Sequence, residues 1–151
     1  MEGSPQSIID LERPGSPIIT ESGPQEVREY RTKSGVVAFV TERAGHPERL
    51  NEDAVVIDTE NEGFAVVDGM GGQGNPVLAT RIVAEELEKA FQTRSLLLDA
   101  HQSAQLRMRR ENLQGGACYT ALQINGKYAR IQQGGDTGIV LVNTVTGASY
   151  T

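Results

Sequence analysis

The sequence predicts an α+β fold in which strands build the sheets and helices pack on one face. Three observations lead there. After Gly35, short runs of β-branched and aromatic residues alternate with turn-forming residues along most of the chain. Two segments with helical apolar spacing sit together in the middle, instead of alternating with single strands as βαβ units would. A length of 151 residues leaves room for one ordinary domain.

Residues 1–34 hold four of the six prolines, six acidic and four basic residues, and only short apolar pieces such as Ile8-Ile9 and Ile18-Ile19. This composition predicts a flexible N-terminal tail, with the folded domain spanning 35–151. A partner-binding or phosphorylated segment around Ser4-Pro5 and Ser16-Pro17 is the other reading. Strands are expected at Val36 to Val40, Ala54 to Ile57, Phe64 to Val67, Cys118 to Ile124, Tyr128 to Gln132 and Ile139 to Val142. Asn125-Gly126 lies between two of them and is expected to form a type I′ hairpin turn, because both residues tolerate positive φ.

The first helix is expected to follow Asn75, which can cap it, and Pro76, which suits a first turn. Leu78, Ile82, Val83, Leu87 and Phe91 then fall on one side. The second is expected to begin near Ser95, with Leu97, Ala100, Ala104 and Met108 on its apolar face. It ends in Arg107, Arg109 and Arg110, which suit the negative end of a helix dipole as a solvated terminus, or alternatively bind phosphate. The final strand from Ile139 runs into a Thr146-Gly147 turn, so its pairing is expected to be unfinished and its edge open.

Fourteen Lys and Arg against twenty Asp and Glu give a net charge of -6, which disfavours nucleic acid and anionic lipid and suits a cation or a basic partner. Cys118 is the single cysteine, so the chain makes no internal disulfide. The N-terminus lacks the charge and apolar pattern of a secretory signal, and no run reaches the roughly 20 apolar residues of a span. A cytoplasmic protein without membrane contact is expected.

Between Leu50 and Thr80 stand six carboxylates, Glu52, Asp53, Asp58, Glu60, Glu62 and Asp68, and no Lys or Arg. Asp58, Glu60 and Glu62 fall in an expected loop and should be solvated. Glu52, Asp53 and Asp68 instead stand at the ends of apolar strands. In a symmetric hairpin centred between Glu60 and Asn61, Asp53 lies across from Asp68. Opposed carboxylates repel unless a proton or cation sits between them, and hard oxygen donors select Mg²⁺ or Mn²⁺. The alternative is that the acids splay into solvent or that a bulge breaks the register. Gly69, Met70, Gly71, Gly72, Gln73 and Gly74 then lead into the first helix, offering backbone groups to a metal or an anion. Nucleotide binding by this loop is a weaker reading, since the Lys-Ser or Lys-Thr of a phosphate loop is missing.

Asn51-Glu52-Asp53-Ala54, Phe64 to Gly72, the amphipathic helix, Gly115 to Leu122 and Gly134-Gly135-Asp136-Thr137-Gly138 together resemble the metal-dependent protein serine/threonine phosphatases of the PPM, or type 2C, family. Met70 resembles the bacterial branch. The resemblance covers residues 36 to about 151 and implies a layered β-sandwich flanked by helices. It further implies a two-metal Mn²⁺ or Mg²⁺ centre that activates water against phosphoserine or phosphothreonine in protein substrates. By family pattern Glu52 and Asp68 would be metal ligands, Gly69 would offer its carbonyl, and Asp53 would hold water beside the metal. Asp136 would contribute to a third, weaker metal.

Three departures qualify the resemblance. The family's phosphate-binding arginine falls at Glu48, leaving Arg49 one residue out of register for that role. Gly138 stands where an arginine is usual. The later Asp-Gly and Asp-Asn segments of the family do not occur, so the chain is expected to be the N-terminal part of such a domain or a shortened relative. The full-length form is expected to be an active phosphatase, with weak Mn²⁺ binding and little activity from this chain alone; the alternative is a non-catalytic phosphatase-like binding module. His46 and His101 match no motif and are expected at the surface.

Overall fold

The computed structural model describes residues 18–19, 28–39, 51–72 and 74–151. Its architecture is α+β, with antiparallel sheets and two helices. Strands β1 (Ile18–Ile19), β4 (Ala54–Asp58), β5 (Gly63–Gly69), β6 (Ala117–Asn125) and β7 (Tyr128–Gly134) form one five-stranded sheet in the order β1-β4-β5-β6-β7. The hairpin of β2 (Arg28–Arg31) with β3 (Val36–Phe39) and that of β8 (Leu141–Val142) with β9 (Ser149–Tyr150) are separate two-stranded sheets. β1 and β2 lie inside the stretch 1–34 expected as a tail, because strand partners downstream recruit them: Ile18 pairs with Val56, and Arg31 with Val36.

Helices α1 (Pro76–Thr93) and α2 (Leu97–Arg110) cover one face of the large sheet. Alternation sends Ala65 and Val67 of β5 inward, while Val66 and Asp68 point outward. The inward set, with Ala54, Val56, Tyr119 and Ala121, packs against Ile82, Val83, Leu87 and Phe91 of α1 and Leu97, Ala100 and Ala104 of α2. Each large apolar side chain buried here contributes roughly 1.5–3 kcal/mol. Asn75 caps α1 as expected, its Oδ1 accepting from the Leu78 N–H at 3.0 Å.

α2 starts at Leu97 rather than near Ser95, and Leu96 at its N-cap offers no side-chain bond. At its other end Arg107 is tied to Glu85 of α1 at 2.6 Å and to Glu111 at 3.0 Å, while Arg109 and Arg110 stay exposed. Arg107 is thus a strut between the helices rather than a solvated end.

The loop carboxylates also depart from expectation. Asp58 is 1% exposed because it organises the turn, accepting from the Glu60 and Asn61 N–H groups at 3.1 and 2.8 Å. Glu62 is buried as well and accepts from the Ser34 N–H at 2.7 Å; the Ser34 side chain first, then this backbone bond and the charge of Lys33, hold its carboxyl below the usual range against the cost of burial. The β6–β7 turn falls one residue later than expected. Asn125 pairs with Tyr128, leaving Gly126 and Lys127 in the loop with positive φ at Gly126 alone, a type II′ pattern.

The strand expected from Ile139 is shortened to Leu141–Val142, and it has a partner: Leu141 pairs with Tyr150 and Val142 with Ser149. His101 is half-buried against Tyr119, the ring centroids 5.8 Å apart, whereas His46 lies outside the described residues. Among the described residues no helix is long and apolar enough to cross a membrane.

Candidate functional site

The β4–β5 ladder runs from Asp58 paired with Gly63 to Ala54 paired with Val67, the symmetric register expected from the sequence and free of bulges. One further step sets Asp53 across from Asp68. The step beyond is closed by the Gly69 N–H, which donates to the Glu52 carbonyl at 3.1 Å. Asn51 shapes the approach, its Oδ1 accepting from the Asp53 N–H at 3.1 Å.

Asp53 is half-buried and Asp68 exposed. Burial, then the charge of Asp68 and a hydrogen bond to it, push the Asp53 carboxyl up from 3.8 to about 6, with Glu52 adding a smaller repulsion and a Gly69 backbone bond opposing. A structure that brings like charges together at this expense presents oxygen donors that a hard divalent ion would neutralise. The donor chemistry of Glu52, Asp53 and Asp68 therefore fits Mn²⁺ or Mg²⁺. Among the described residues no cluster of three or more His, Cys, Asp or Glu side chains forms a ready-made cage, so water or other groups would complete the shell.

The glycine-rich loop is stitched on both sides. The Met70 N–H donates to the Gly116 carbonyl at 3.0 Å, and the Asn75 N–H to the Gln114 carbonyl at 3.0 Å. Gly74 has φ +60°, and a Cβ there would sit 1.5 Å from the Gln114 oxygen, so both conformation and space demand glycine. Gly69 is needed for close approach: an added Cβ would meet the Glu52 carbonyl oxygen at 2.6 Å. Between this loop and Glu52 opens a cleft of about 580 Å³, lined by Glu52, Gly71, Gly72, Gly74, Asn75 and Pro76.

Asp136 lies beside Cys118. Cys118 lies directly across from Asp68 in the β5–β6 ladder. An Asp136 backbone bond favours its thiolate. The Asp136 side-chain bond, burial, and the charges of Asp136 and Asp68 outweigh that and push the thiol up. Thr120 and Thr137, hydroxyl to hydroxyl at 2.9 Å, pin the segment after Asp136 to β6. Two contributors escaped the sequence reading: Cys118, legible only once the β5–β6 register is known, and Thr80, whose hydroxyl donates to the Glu52 carbonyl at 2.6 Å. Arg49 lies outside the described residues.

On the outer face of the large sheet, Val37 and Ala38 of β3 and Ile139 lie over Val55, Phe64 and Leu122 around an apolar groove of about 210 Å³. Compared with protein-family models, curated proteins and solved structures, the chain matches none.

Proposed function

We propose that this chain carries the acidic half of a metal-dependent phosphatase site of the PPM type, acting on phosphoserine or phosphothreonine in proteins. The observation that carries the reading is the opposed pair Asp53 and Asp68 beside the Glu52–Gly69 bond, with Glu52 lining a cleft bounded by a helix N-terminus. Glu52, Asp68 and the Gly69 carbonyl would hold Mn²⁺ or Mg²⁺. Such an ion, when bound, makes water more acidic and offsets negative charge on phosphate oxygens. Asp53 would hold and orient that water by a hydrogen bond. The Gly71 and Gly72 N–H groups, with that of Val77 in a first turn of α1 that contains no acidic residue, would face the phosphate. The packing of β3 and Ile139 over the outer sheet face supports a two-layer β-sandwich flanked by helices.

The deciding experiment is Mn²⁺-dependent phosphate release from a phosphothreonine peptide, with Asp68→Asn as control, on this chain and on any longer natural form. Undiminished turnover by Asp68→Asn would overturn the assignment. A non-catalytic, phosphatase-like binding module is the second reading. It is favoured by one observation: Asp136 acts on the Cys118 thiol and is not among the groups that act on Asp53. Phosphopeptide binding without turnover in saturating Mn²⁺ would select it.

A further inference from the structure

We infer that Thr80 is a positioning residue for the candidate metal centre, fixing the Glu52 backbone so that Glu52 and Gly69 present their oxygens together. The inference rests on the metal-centre reading above and extends it into helix α1.

Thr80 is 2% exposed and occupies the second turn of α1. A threonine hydroxyl within a helix ordinarily bonds back to a carbonyl of its own preceding turn. Here it donates instead to the Glu52 carbonyl, 28 residues away, at 2.6 Å. The same oxygen accepts the Gly69 N–H at 3.1 Å, so both of its lone pairs are engaged. Gly69 packs into this junction without room for a side chain, since an added Cβ would lie 2.6 Å from the Glu52 oxygen and 2.9 Å from Thr80 Oγ1.

Packing alone does not require a hydroxyl here. The neighbours Ala79, Ile82, Val83 and Ala84 are buried apolar residues, and valine would fill the same volume without the cost of burying a polar group. What the hydroxyl adds is a directional tie between α1 and the end of β4. The tie acts on the Glu52 main chain and leaves its carboxylate free toward the cleft, where Oε2 would lie 3.0 Å from a Cβ on Gly71. It also draws the Gly69 peptide to Glu52, so two of the proposed ligands move as one unit. Supporting groups of this kind, which hold a ligand without touching the metal, govern affinity through orientation.

The test compares wild type, Thr80→Val and Thr80→Ser by NMR, with Mn²⁺ as the probe. Paramagnetic broadening at Asp53, Asp68 and Gly69 reads binding even at millimolar affinity, and hydrogen exchange of the Gly69 amide reads the tie without metal. Thr80→Val should weaken Mn²⁺ binding about tenfold and speed Gly69 exchange relative to Val67, and Thr80→Ser should restore both. Should Thr80→Val not fold, Thr80→Ala against Thr80→Ser supplies the same comparison. Wild-type Mn²⁺ affinity in Thr80→Val, or a loss that Thr80→Ser does not rescue, overturns the inference. Absence of broadening at all three residues in wild type removes the metal-centre reading itself, and the inference with it.

Discussion

Asp53 faces Asp68 across the open end of the β4–β5 ladder, where burial and the charge of Asp68 favour the protonated Asp53 carboxyl. The folded chain therefore binds the Asp53 proton more tightly than the unfolded chain does. A group with its pKa raised in this way contributes stability that is fully present below 3.8 and lost as pH rises through about 6. Asp68→Asn should remove the repulsion and make the chain more stable at pH 7 by about 1 kcal/mol, after allowing for solvent screening. The gain should shrink toward pH 4. Urea denaturation at the two pH values checks this, and a variant less stable than wild type at pH 7 would contradict it.

Divalent cation should act on the same pair. Mn²⁺ is expected to bind weakly and to raise stability at pH 7, by about 1.4 kcal/mol at ten times its dissociation constant. Asp68→Asn should respond much less. Thermal unfolding with and without Mn²⁺ measures both, and an equal response of the two proteins would show that the ion binds elsewhere.

The Gly74 site makes a prediction about the loop. Gly74→Ala places a Cβ on the Gln114 oxygen at a residue with φ +60°, so the stitch between the glycine loop and the segment before β6 must open. A loss of roughly 2–4 kcal/mol is expected, combining backbone strain with the broken contact. Equilibrium denaturation checks it. Gly72, also at positive φ but with open space around its Cβ position, should lose less on the same substitution, about 1 kcal/mol.

Arg107 gives the third kind of test. Burial disfavours ionised Glu85, but the bonds from Arg81 and Arg107 more than compensate and hold its carboxyl below the usual range. Glu85 thus contributes stability that is present above 4.5 and lost as pH falls through its lowered folded value. Arg107→Met should cost about 1 kcal/mol at pH 7 in low salt and less in high salt, because the strut is partly exposed. An effect independent of both salt and pH would mean that the stem of Arg107, not its charge, holds the helices.

Much of this arrangement is legible along the chain. The Asn75 cap, Pro76 and the period of apolar residues through Phe91 mark α1 from its start to its last turn, and the centred hairpin between Ala54 and Val67 sets the register that opposes Asp53 and Asp68. Both are local: helix spacing and a short turn involve residues close in sequence, so pattern and turn chemistry suffice. Where competing local choices were nearly equal, tertiary pairing chose. Asn125 joined the strand because its partner Tyr128 was available, and Ile18 and Arg31 became strand residues because Val56 and Val36 offered edges.

The sequence by itself determined the α+β class, the two helices and the acidic pair at a glycine-rich turn, since each rests on spacing within a short stretch. Only the tertiary structure decided that Asp58 and Glu62 are buried, that Arg107 joins the helices, that Cys118 meets both Asp68 and Asp136, and that Thr80 holds Glu52. These relations span elements far apart in the chain. The physical reason is that a buried polar group needs a partner, and which partner it meets is set by sheet register and helix docking rather than by its neighbours in sequence.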